Sequence, residues 1–140
     1  MRELVSATFA TQWPIVAPGV PFALEDEPAT IPDEFALLSV VPTTGQQMTM
    51  GRAGTRRVRR NVWIQVKLWA TAGQGVARIS ALGDAAQRIF ELQSFAGPGL
   101  GDPLTVQAAT GIKRSGSADS TDGRWTMLLV RMPAWYSEIL

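Results

Sequence analysis

The stretch Arg56 to Ala70, RRVRRNVWIQVKLWA, constrains the fold more than any other part of this chain. Side chains alternate across a strand. Val58, Val62, Ile64, Val66 and Leu68 therefore share one face, and Arg57, Arg59, Asn61, Trp63, Gln65, Lys67 and Trp69 share the other. The first face packs on a core. The second mixes two tryptophans with cations and amides, and is either half wet or covered by a partner.

Other segments supply the rest of a small domain. Glu34 to Pro42 (EFALLSVVP) is a short apolar run ended by proline, which fits a buried strand. Thr43 to Thr55 is polar and glycine-punctuated, a long loop or the tip of an extended hairpin. From Gly73 to Gln93 the period changes: Val76, Ile79, Leu82, Ala86, Ile89, Phe90 and Gln93 recur at helical spacing, and the glycine and proline of Ala96 to Pro103 end the helix. Leu104 to Ile112 and Arg124 to Met132 read as strands, joined antiparallel by the small polar residues Lys113 to Gly123. The tail PAWYSEIL is apolar enough to dock.

The N-terminal third reads differently. Pro14, Pro18, Pro21 and Pro28 fall within WPIVAPGVPFALEDEP, and proline neither donates to a ladder nor continues a helix. Residues 1–34 are therefore expected to form a proline-rich arm, with one or two helical turns before Trp13. The expected whole is a single α+β domain over residues 1–140. It has a small, mostly antiparallel (mixed) sheet of about four strands, one main helix or two on one face, the arm, and an extended basic loop or hairpin over residues 43–60. Such a sheet has open edges, which suit an assembling protein.

Composition narrows the chemistry. The chain has 140 residues, enough for one core, and contains neither cysteine nor histidine. Disulfides, thiolate catalysis, the usual zinc sites and the commonest general base are thereby excluded. Gly73-Gln74-Gly75 lacks the third glycine of a dinucleotide fingerprint and the Gly-Lys-Ser/Thr of a phosphate loop, and fits a tight strand-to-helix turn instead. The acid pairs Asp26–Glu27 and Asp33–Glu34 have no companion base or metal ligand. No enzyme, cofactor or metal site is expected. A span of about 18 apolar residues and a signal peptide are both missing, so the reading is of a soluble chain made inside the cell, without a membrane partner.

The net charge of +1 conceals segregation. Residues 1–34 hold six acids against one cation, residues 35–83 hold seven cations and no acid, and the remainder holds six acids and five cations. Opposite fields of this kind align partners, or pair within one fold. Arg52 to Arg60 carries five arginines close to Trp63 and Trp69, a mixture that also holds single-stranded nucleic acid. Met48 and Met50 add adaptable apolar contacts to the same loop.

Taken in order, several of these pieces resemble the phage tail terminator-like family, small subunits that close the head-proximal end of a siphophage tail tube. The pieces are Trp13-Pro14 with Val20-Pro21-Phe22, the strand Leu37 to Pro42, the glycine-containing loop before Arg56, and the strand Val62 to Trp69. Ala72-Gly73-Gln74-Gly75 opening a helix that ends near Phe90, and Gly123-Arg124-Trp125 leading the last strand, complete the set. The resemblance implies a virion structural protein: a homo-oligomeric ring of six subunits on the last ring of tail tube protein, ending tube growth and docking the head-completion or connector protein. A gene transfer agent tail would need the same part. The ring would form in the host cytoplasm during assembly.

On that reading the arm bridges subunits. Trp13, Phe22, Glu25, Asp26, Glu27, Met48, Met50, Arg57 and Arg59 are the expected contacts with a neighbour or the tube, and Arg52, Arg56 and Arg60 the candidates facing DNA in the lumen. The alternative is a small basic nucleic-acid-binding module.

Overall fold

The computed structural model describes residues 1–24, 34–47, 49, 52–71, 75–98, 100–109, 113–115 and 125–140. Three long strands form its backbone: β2 (Glu34–Gln47), β3 (Arg57–Thr71) and β7 (Trp125–Ile139). Shorter ones are β1 (Phe22–Ala23), β4 (Ser94–Phe95), β5 (Leu104–Val106) and β6 (Lys113–Ser115), and the helices are α1 (Arg2–Val16) and α2 (Gly75–Phe90). Six strands run in the order β1-β2-β3-β7-β5-β4, and β6 pairs with another stretch of β7. Among the described strands only β1 with β2 is parallel, so the sheet is mixed.

The fold is thus mixed α+β with two helices, but the count of about four strands was low. The extra strands span two or three residues each, too few for alternation to signal. The pairing of β2 with β3 continues to Gln47↔Val58, so residues 43–47 belong to an extended hairpin rather than a loop. The last strand also outruns its expected end at Met132, because Pro133 sits where its missing N–H takes no bond from the ladder with β3. Its carbonyl accepts from the Gln107 amide at 2.8 Å, so its nitrogen faces the β5 side, just beyond the end of that strand, and the ladder with β3 is unbroken.

One sheet face packs on both helices. Val62, Ile64, Val66 and Leu68 of β3 meet Leu38 and Val40 of β2, Val130 and Met132 of β7, and Ile79, Leu82, Ala86 and Phe90 of α2 in a single core. Helix α2 lies close enough at Gly83 that a Cβ there would come within 2.5 Å of Leu128.

The arm expected over residues 1–34 is, in its described part, a piece of this core. Val5, Phe9 and Trp13 recur at helical spacing and are at most 1% exposed. Phe9 stacks on Trp13 at 5.2 Å and lies parallel to Phe90 of α2 at 6.3 Å. Pro14 does not prevent this helix, because it falls in the last turn, on the exposed side, where only one backbone bond is lost. After a turn at Gly19, φ 79°, the Trp13 indole N–H donates to the Val20 carbonyl at 3.1 Å, and Phe22 packs against the core.

Candidate interaction surface

The face of the sheet opposite the helices is built by the odd-numbered residues of the long strands. Register aligns them in rows across β2, β3 and β7: Phe35–Trp69–Met127, Leu37–Lys67–Leu129, Ser39–Gln65–Arg131 and Val41–Trp63–Pro133. Beyond the bulge between Pro42 and Thr44, the next row is Thr44–Asn61–Trp135. The result is two aromatic-aliphatic patches separated by a polar, cationic band. No described helix covers this face, and most of its side chains are half-buried.

Local chemistry holds the face together. The Arg131 guanidinium lies over the Trp63 ring at 4.5 Å, and that of Arg59 over Trp135 at 4.6 Å, where the cation meets the negative face of the π-system. Arg59 Nε also donates to Asn61 Oδ1 at 3.2 Å, and Asn61 Nδ2 donates to Thr44 Oγ1 at 3.0 Å. Trp69 is propped against Phe35 at 5.7 Å. Among the described residues, the charged groups of Lys67 and Arg131 make no ion pair and no hydrogen bond, and the Arg131 Nε is buried without a partner. Trp63, Trp135 and Arg59 line a cavity of about 170 Å³ together with Val62, Ala134 and Gln107.

The basic run is distributed differently from a free arginine arm. Arg57 pairs with Asp102 at 3.5 Å, and Arg60 with Glu138 at 3.2 Å. Arg56 is half-buried and its backbone exchanges hydrogen bonds with Leu140, at 3.2 and 2.7 Å. Arg52 stands exposed in the turn before β3. Of the expected interface residues, Trp13 is fully buried in its own core, and Phe22 is partly buried against it. Glu25, Asp26, Glu27, Met48 and Met50 lie outside the described residues, as does Gly73-Gln74.

The expected strand ends at Met132 and so leaves out Trp135; Arg131 falls inside it, but its stacking on Trp63 is set by the register of β7 on β3. The alternation Met127, Leu129, Arg131, Pro133, Trp135 was nonetheless present in the chain. Among the described residues no group of three or more acidic side chains could hold a metal, and no helix is long and apolar enough to cross a membrane.

No protein-family model matches the chain, and no curated protein matches it in sequence. Solved structures do share the fold. Sixteen solved chains match. One, a protein whose name states no function, is 17% identical, covers all of this chain and 97% of its own, and superposes with a TM-score of 0.64. At that identity the likeness establishes a mixed α+β fold with two helices and a curled sheet, and nothing about activity.

Proposed function

We propose that the chain is a structural subunit that self-assembles into a ring at the end of a phage-like tail tube, stopping tube growth and presenting a docking surface to the next component of the particle. The observation that carries this reading is the sheet face that no described helix covers, where three tryptophans and, among the described residues, two unpaired cations remain opposite the core. An apolar face of this kind marks a protein interface. The order of segments that resembles the tail terminator family adds the tail context. In this reading the contact surface is the sheet face and the β2–β3 hairpin, in place of the N-terminal arm.

The nucleic-acid alternative has less in its favour. Arg57 and Arg60 are already paired with carboxylates, and two of the three indoles on the face are stacked with the chain's own guanidiniums. Size-exclusion chromatography with light scattering, run on the chain alone and with its tail tube protein, discriminates the two. A ring-sized species that caps tubes and limits their length is expected. Failure to bind tubes, together with salt-sensitive affinity for oligonucleotides, would select the alternative.

A further inference from the structure

The geometry points to a second copy of this chain as the occupant of the sheet face, docking through the C-terminal corner of its α2. The inference rests on the self-assembly part of the reading above and is independent of the tail. The corner is marked by Leu92, which is 74% exposed and has φ 59°. That left-handed conformation is ordinarily taken by glycine or asparagine after a helix, because a side chain crowds the backbone there. A leucine at this position carries strain and gains no burial in its own chain, a combination that concentrates at functional contacts. Beside it, Asp84, Gln87, Arg88 and Glu91 line a shallow hollow of about 270 Å³. Among the described residues neither Asp84 nor Glu91 has an ion-pair partner, and with Arg88 between them the corner is net acidic.

The sheet face is its complement in charge and shape. From Phe35 to Trp135 it carries Lys67, Arg131 and Arg59 and no acid among its described residues. Two such faces meeting symmetrically bring two cationic surfaces together, which disfavours a two-fold contact and favours a heterologous one, face to helix corner. Contacts of that kind close into rings or extend into filaments. In the proposed contact Leu92 seats in the cavity between Trp63 and Trp135. Asp84 and Glu91 meet the cations of the face, where the unpaired donors of Lys67 and Arg131 gain carboxylate acceptors.

Sedimentation velocity across a concentration series tests this with four proteins: the native chain, L92G, D84K/E91K and K67E/R131E. Concentration-dependent self-association of the native chain is expected, weakened at least tenfold in each variant and restored when D84K/E91K and K67E/R131E are mixed in equal amounts. L92G should melt above the native chain while associating less, which separates loss of contact from loss of fold. A native chain that stays monomeric at its highest soluble concentration, unchanged association of L92G, or a mixture that fails to associate would overturn the contact. Tube capping that survives in L92G would overturn it too and leave the tail reading standing, whereas association without capping would do the reverse.

Discussion

Arg78 and Glu34 illustrate how single residues couple the helix layer to the sheet. Arg78 donates through Nε and Nη2 to the two Glu34 carboxylate oxygens, each at 2.6 Å, tying α2 to the first residue of β2. The hydrogen bonds to this guanidinium hold the Glu34 carboxyl below its ordinary range, partly opposed by burial. A carboxyl with a depressed folded pKa contributes stability above its unfolded value, about 4.3, and loses it as pH falls through the folded value. Glu34→Gln should therefore cost about 0.5–1 kcal/mol at neutral pH, the pair being partly exposed, and the difference from the native chain should vanish on acidification. Urea unfolding at neutral and acidic pH measures both. At Leu92, glycine relieves the left-handed strain against its own greater chain entropy, and a net gain of about 0.5–1 kcal/mol is expected in the same assay.

Proline placement decides which strands the elements can become. In β2, even-numbered amides face away from β3, as the bond from the Ala36 N–H to the Pro21 carbonyl at 3.1 Å shows, so Pro42 removes a donor only from the sheet edge. In β7, Pro133 faces the β5 side, and the next amide, that of Ala134, faces Val62 of β3. Pro133→Ala should change stability by less than about 1 kcal/mol. Moving the proline one residue along, in P133A/A134P, should remove a central ladder bond at a cost of about 3 kcal/mol or more. Equilibrium denaturation of the two variants, side by side, checks the assigned direction of each amide. A similar constraint sits at Gly83, where alanine would overlap Leu128 and should destabilise by about 1–3 kcal/mol unless that side chain turns away.

For the molecule as a whole, the question is which parts are core and which are offered to partners. Val5, Phe9 and Trp13 share one cluster with both helices and the sheet. Phe9→Ala should accordingly cost about 3–5 kcal/mol, and deletion of residues 1–16 should abolish cooperative unfolding in a calorimetric scan. An arm used only for assembly would leave both melting curves close to native. The sheet face behaves oppositely in the proposed assembly. Its cations are partly exposed, so the contact should weaken as salt rises through the range where the screening length falls from about 10 to 3 Å.

What was legible in the sequence was the period of each long segment. Alternation in Arg56–Ala70 separated a core face from a tryptophan–arginine face, and the three-four spacing of Ile79, Leu82, Ala86 and Phe90 identified the main helix, because periodicity records which side of an element meets the core. What required the tertiary structure was everything set by a distant partner. Pro14 is tolerated because Trp13 and Phe9 bury against α2, Pro133 because its nitrogen faces away from β3, and Arg131 reaches Trp63 only through the register of β7 on β3. A local reading scored each proline by the bond it forgoes. The fold places it where no bond was to be made, or where packing outweighs the loss.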